Sequence, residues 1–387
     1  MPPKQSVKPR TLALTSVPAF WPMVMAASLL DQGAGIFAKN LKFVEEEIKI
    51  HDELRPSFAT ANKVRLDLRT MLLREYGAPR GIPTFVIAPY AGHTAMIADY
   101  HKGQSLVETL LANGVSHVAL TDWKSATADM KDLEIDNYLA EIVVAIDDLG
   151  GRINMAGLCQ GGWAAAMVAA RFPQKVQSLV LAGAPIDMNA GNGPIKRMAQ
   201  QSPFSFYQEL VELGGGLMLG KFMLQGWKNM HPDQHYFQQY VDLYEHIEDA
   251  AYLEKEETFE SWYENPINLP GRWYLQAIAQ LFKENRFAKG TFVGLGRSLN
   301  LKDVTVPVFL LAGESDDITT KEQVFDAEKY LGTPSDKIVK KLVSGGHIGL
   351  FMGSRNLREV WPDIARWICN ADAEHDSEAS GSARSRI

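Results

Sequence analysis

Cysteine is scarce in this chain: Cys159 and Cys369 are the only two among 387 residues. So few thiols exclude a disulfide scaffold. A bridge between them would also consume a thiol that its surroundings mark for chemistry. Both are therefore read as reduced, and the compartment as cytoplasmic. Positive charge is also in deficit, with 39 Lys and Arg against 46 Asp and Glu and a net charge of −7. That balance gives a nucleic-acid partner no electrostatic support. Long apolar runs are missing, so no membrane span is expected. The apolar stretch over 18–30 is too short to cross a bilayer and carries no obvious processing pattern. It is expected to be an amphipathic helix packed on the domain, the alternative being adhesion to a hydrophobic surface. No glycine-rich phosphate loop follows any predicted strand. His231 and His235 are four apart, but Pro232 lies between them and no second ligand pair is near, so no metal is expected. No cofactor is expected either.

What is present begins with a short apolar strand, Ile153 to Ala156, running into Gly157-Leu158-Cys159-Gln160-Gly161-Gly162-Trp163 and then a small-residue helix over 164–170. This is a nucleophile elbow with sulfur in place of the usual serine oxygen. Glycines before and after the nucleophile permit a turn in which a β-carbon would clash. The turn lifts the side chain to a helix N-terminus, whose N–H groups favour a thiolate. The alternative is a buried structural cysteine.

Around the elbow the chain alternates between apolar strands and helices. Strands are expected over 84–88, 117–121 and 178–183, with one or two more over 64–76. A helix over 105–111 ends at Asn113-Gly114. Ile135, Tyr138, Leu139, Ile142, Val143 and Ile146 recur at helical spacing. Strands apolar throughout imply a parallel sheet covered on both faces. The pattern stops near Pro185 and resumes with strands over 306–313 and 338–343 and a closing helix through Val360, Ile364 and Trp367. The expected layout is an α/β core over 63–188 and 305–369, a helical extension over 1–62, a helical cap insertion over 189–304 and an unstructured tail over 370–387. Aromatic residues of the insertion are candidates to line an apolar pocket or to pack the cap itself. With 46% hydrophobic residues the core is substantial.

A cysteine nucleophile needs a base, and the base an orienting group. The order nucleophile, acid, histidine is that of the α/β-hydrolase fold. Gly313-Glu314-Ser315-Asp316-Asp317 supplies the acid, with Asp316 the first choice and Asp317 the second. Gly345-Gly346-His347 supplies the histidine. Cys159, Asp316 and His347 each fall just past a predicted strand, where ligands sit in open α/β sheets. The oxyanion donors are the N–H of Gln160 and one from the loop after 84–88, Tyr90 or Ala91. His93, Trp163 and Asp317 are candidates for substrate contact. The acyl-thioester so formed passes to water, an alcohol or another thiol.

These motifs resemble the superfamily of polyhydroxyalkanoate synthases and intracellular polyhydroxyalkanoate depolymerases, over roughly 84–368. The run Gly157-Leu158-Cys159-Gln160-Gly161-Gly162 resembles the synthase elbow, and Asn268-Leu269-Pro270-Gly271 through Trp273-Tyr274-Leu275 a second synthase stretch. The runs over 88–93, 121–123, 183–187, 313–318 and 346–355 resemble the depolymerases. Synthases carry His directly after the catalytic acid, where this chain has Asp317. Depolymerases lack the double glycine that this chain carries as Gly161-Gly162. The resemblance implies a Cys–Asp–His triad and a 3-hydroxyacyl ester substrate, as polymer or as coenzyme A thioester. Most of the loops flanking the site are depolymerase-like, so hydrolysis of polyhydroxybutyrate is the first reading. Polymerisation of 3-hydroxyacyl-CoA is the second, and a non-catalytic granule-binding protein the third. Association with a granule surface and an oligomeric state are both compatible with the sequence.

Overall fold

The structure, a computed structural model, describes residue 42 and residues 56–230, 242–243 and 245–384. The apolar run over 18–30, most of the expected N-terminal helical extension, and His231 and His235 lie outside the described residues.

Eight strands form one sheet: β1 (Lys63–Asp67), β2 (Met71–Gly77), β3 (Thr84–Ile87), β4 (His117–Trp123), β5 (Ile153–Leu158), β6 (Val176–Ala182), β7 (Val308–Gly313) and β8 (Ile338–Val343). Their order is β1-β2-β4-β3-β5-β6-β7-β8, with β2 antiparallel to both neighbours and the other pairs parallel. This is the α/β-hydrolase arrangement. Strands β3 to β7 are buried along their whole length, because helices cover both faces. The edge strand β8 carries Lys340 and Lys341 instead, charges that discourage pairing with another sheet.

Helices α1 (Leu106–Ala112), α2 (Ile135–Asp148) and α3 (Gly161–Arg171) lie between the central strands. Ser105 caps α1, its Oγ accepting from the Glu108 N–H at 3.0 Å. Glu134 and Asn137 form a capping box at the start of α2. Between β6 and β7 come α4 (Pro194–Gln201), α5 (Phe204–Leu213), α6 (Gly220–Met230), α7 (Ala250–Tyr263) and α8 (Gly271–Gln276), the last continuing as a π-helix over Ala277–Lys283. The core closes with α9 (Lys321–Phe325), α10 (Ser354–Glu359) and α11 (Trp361–Arg384).

Three expectations need correction. Residues 56–62 are irregular, not helical. Asp99 takes the local donors there: its carboxylate accepts from Thr60 N at 3.0 Å and Thr60 Oγ1 at 2.7 Å. The end of the insertion is a hairpin, Phe292–Gly294 against Arg297–Leu299. Leu295 and Gly296 both have positive φ, the requirement of a tight two-residue turn. The tail after Asn370 is not unstructured, because α11 runs on to Arg384. Gln177 Nε2 donates to the Ala371 carbonyl at 2.7 Å and Asn154 Nδ2 to Asp372 Oδ1 at 2.9 Å. These bonds anchor the helix on β5 and β6. No helix among the described residues is long and apolar enough to cross a membrane.

Candidate active site

Cys159 follows β5 directly and has φ of +52°, an unusual value for a residue with a side chain. Three glycines make that turn possible. A β-carbon on Gly157 would sit 2.5 Å from Gly162 Cα, on Gly161 2.1 Å from the Ile87 carbonyl oxygen, and on Gly162 2.2 Å from Ala184 Cβ. The Cys159 N–H donates to the Ala182 carbonyl at 2.9 Å, and its own carbonyl accepts from Gly162 N at 2.9 Å. The backbone of the elbow is therefore tied to β6 on one side and to α3 on the other. The thiol is free and largely buried.

Asp316 and His347 come from the loops after β7 and β8. Those loops meet because Gly313 has no side chain: a β-carbon there would lie 2.7 Å from the Gly345 carbonyl oxygen. Asp316 Oδ1 accepts from Thr319 N at 2.8 Å and Ile318 N at 3.1 Å. Its Oδ2 accepts from His347 Nδ1 at 2.7 Å. The bond fixes the tautomer, leaving Nε2 as the nitrogen for the nucleophile. Nε2 is buried with no partner at hydrogen-bond geometry. Burial opposes the imidazolium, yet the charges of Cys159 and Asp316, with the Asp316 hydrogen bond, outweigh it and hold the His347 pKa well above its ordinary value.

Cys159 and His347 open on a cavity of about 360 Å³. Pro89, Ala91 and His93 of the loop after β3 form one wall. Trp227, Met230, Phe259, Trp262 and Tyr263 of the insertion line another. Of the two acids, Asp316 holds the histidine, while Asp317 lines the cavity.

The oxyanion candidates divide. Gln160 starts α3, beside the nucleophile. Ala91 lines the cavity with Cys159. Tyr90 shares the loop of Ala91, and its ring packs in a cluster with Trp123, Tyr138 and Trp273, its hydroxyl accepting from Tyr138 at 2.9 Å, which leaves its backbone N–H a candidate beside that of Ala91. Trp163 lies off the Cys159 cavity and lines a smaller one with Gln160 and Gly161. Its indole N–H donates to the Pro185 carbonyl at 2.7 Å and its ring packs edge-on against Phe282, so it braces the loop after β6. His93 does reach the wall. The sequence reading missed Thr94, which no pattern marks, and expected insertion aromatics in the pocket without singling out Trp262 and Tyr263 of the cluster Phe259 to Tyr263. Among the described residues, no three His, Cys, Asp or Glu side chains gather as a metal site would require.

Comparison with known proteins places this geometry among relatives. The chain is 27% identical over 293 residues to a protein named Poly(3-hydroxyalkanoate) polymerase subunit PhaC of Haloferax mediterranei, covering 73% of this chain and 58% of that one. It is 26% identical over 304 residues to the protein of the same name in Allochromatium vinosum, covering 76% of this chain and 83% of the relative. An uncharacterised protein in the ackA 5′ region of Rhizobium meliloti is 24% identical over 303 residues, 73% of this chain and 40% of its own length. Among solved structures, a monoacylglycerol lipase from Paleococcus ferrophilus aligns at a TM-score of 0.49 with 16% identity, over 78% of this chain and 99% of the lipase. A family model described as "Protein of unknown function (DUF3141)" matches residues 75–358, most of the sheet and the whole insertion, and the chain belongs to that family.

Proposed function

We propose that this chain is a cysteine acyltransferase of the polyhydroxyalkanoate synthase kind, moving 3-hydroxyacyl groups from coenzyme A thioesters to a hydroxyl acceptor. The observation that carries the reading is a thiol nucleophile, Cys159, sharing an apolar cavity with His347, itself oriented by Asp316. Sulfur suits that reaction. A thioester donor exchanging with Cys159 trades one thioester for another, and the acyl-enzyme stays activated toward an alcohol. An ester donor would have to climb to the same thioester. The relationship to the polymerase subunits points the same way. Hydrolysis, the first reading of the sequence, becomes the second.

The steps follow from the residues. His347 Nε2 takes the thiol proton as Cys159 attacks the thioester carbonyl. The tetrahedral oxyanion is held by the N–H groups of Gln160 and Ala91. The C–S bond to coenzyme A breaks, and His347 returns the proton to the departing thiolate. An acceptor hydroxyl then gives its proton to His347 and attacks the Cys159 thioester. Cys159 leaves as thiolate and recovers the proton. Asp316 stays ionised throughout and stabilises the imidazolium.

The depolymerase reading keeps the same acyl-enzyme with water as acceptor, and is favoured by the loops over 88–93 and 346–355. A purely granule-binding role leaves the Asp316–His347 bond without a purpose. The test is a paired assay. Purified protein is given 3-hydroxybutyryl-CoA, with free coenzyme A and insoluble polymer measured, and separately amorphous polyhydroxybutyrate granules, with released 3-hydroxybutyrate measured. Coenzyme A release matched by polymer supports transfer. Acid from granules with no polymer made supports hydrolysis and overturns our reading.

A further inference from the structure

The cavity beside Cys159 is largely apolar, with Ile97, Trp227, Met230, Phe259 and Trp262 on its walls. His93, Thr94 and Asp317 interrupt that lining beside Cys159 and His347. His93 is 9% exposed. Its Nε2 lies 2.9 Å from the Tyr263 carbonyl oxygen. A carbonyl can only accept, so Nε2 carries the proton. The ring stacks on Tyr263 at 5.4 Å and 8° and tilts against Trp262 at 4.7 Å, which fixes its direction. Burial pushes its pKa down to about 4, so the ring is neutral at ordinary pH. Nδ1 is then a bare acceptor, and it has no hydrogen-bond partner among the described residues. Thr94, the next residue, also lines the cavity, and its Oγ1 is buried without a partner. An unpaired hydroxyl buried in an apolar wall is costly, and a ligand that pairs it while donating to the open Nδ1 recovers that cost.

A carbonyl or carboxylate oxygen would set lone pair against lone pair at Nδ1. A protonated amine could donate to Nδ1 but would leave the Thr94 hydroxyl hydrogen without an acceptor. A neutral hydroxyl suits the site: it can donate to Nδ1 and accept from the Thr94 hydroxyl. We infer that His93 determines specificity by accepting a hydrogen bond from the 3-hydroxyl of the acyl group in this cavity, with Thr94 as second partner. The inference rests on the acyl-transfer reading of the site and names the group that distinguishes a 3-hydroxyacyl substrate from a plain acyl one.

The test separates recognition from turnover. Calorimetry on the Cys159→Ala protein measures binding of 3-hydroxybutyryl-CoA and butyryl-CoA, which differ by that hydroxyl. The hydroxylated thioester is expected to bind about tenfold more tightly or better. The ratio should collapse toward unity in Cys159→Ala/His93→Phe, whose aromatic ring keeps the stack, and survive in part in Cys159→Ala/His93→Gln, which keeps an acceptor. A ratio near one in the parent protein, or one that survives His93→Phe, overturns the assignment. So does failure to bind either thioester. If the ratio behaves as expected but the wild type transfers no acyl group, the transferase reading fails while hydroxyl recognition by His93 stands.

Discussion

Asp316 and His347 are joined by a 2.7 Å bond from Nδ1 to Oδ2, while the other oxygen of Asp316 is held by the N–H groups of Ile318 and Thr319. The carboxylate cannot swing away without losing both backbone donors. Asp317, one residue on, lines the cavity. Asp316→Asn should therefore reduce kcat by roughly 10³- to 10⁴-fold, because an amide can hold the wrong tautomer. Asp317→Asn should cost far less. Steady-state release of coenzyme A from 3-hydroxybutyryl-CoA measures both. Equal losses would show that Asp316 has no special hold on the histidine.

The protonation of His347 is expected to depend on its neighbour across the cavity. Burial alone would depress the ring, and Cys159 ranks with Asp316 among the groups that raise it. Replacing Cys159 by Ala should lower the pKa of His347, read from the pH titration of its ring resonances by NMR. The sign for stability follows. A histidine raised on folding stabilises the fold most at pH below its ordinary value, and that contribution fades as pH climbs through the raised value. Melting temperature should decline over that alkaline range in the wild type, and Cys159→Ala should move the decline to lower pH. An unshifted titration would mean that the two side chains do not interact.

Gly162 is required by packing. A β-carbon there would lie 2.2 Å from Ala184 Cβ. Gly162→Ala should destabilise the fold by about 1–3 kcal/mol. Ala184→Gly in the same chain should return part of the loss, which thermal denaturation of both variants and the double variant would reveal. Full additivity of the two losses would contradict this account. The double glycine of the elbow thus reflects two close approaches, Gly162 to the loop after β6 and Gly161 to the end of β3, and it does not by itself indicate the direction of the reaction.

The end of the chain gives another test. Truncation after Asn370 removes the acceptors of Gln177 Nε2 and Asn154 Nδ2, at about 1–3 kcal/mol for each buried donor left unpaired. Truncation after Asp372 keeps both bonds. The first variant should unfold at clearly lower urea than the second; coincident midpoints would show that the bonds contribute nothing.

Local chemistry made much of the fold legible before the structure. Strands β3 to β7 are buried and mostly apolar, and Cys159 and Asp316 come where such a run gives way to glycine and polar residues, while His347 follows the glycines after β8. A chain-order pattern is enough to find them. Contacts between distant segments are not written that way. Trp163 sits four residues after the nucleophile, yet its indole is drawn to the Pro185 carbonyl, which no local pattern reveals. Tyr90 adjoins Ala91 in the loop after β3, but its ring is captured by Trp123, Tyr138 and Trp273 from three other elements. The polar composition after Asn370 suggested disorder, and two side chains on β5 and β6 decide otherwise for its first turn. His93 shows both sides: its place in the loop was readable, while its tautomer depends on a carbonyl 170 residues away.

The central claim is that Cys159 carries the acyl group as a thioester. Rapid acid quenching of the protein with 3-hydroxybutyryl-CoA, followed by proteolysis and mass spectrometry, tests it most directly. The account predicts a 3-hydroxybutyryl adduct on the peptide containing Cys159, labile to hydroxylamine and absent from Cys159→Ala. Turnover without that adduct, or an adduct on another residue that persists in Cys159→Ala, would contradict it.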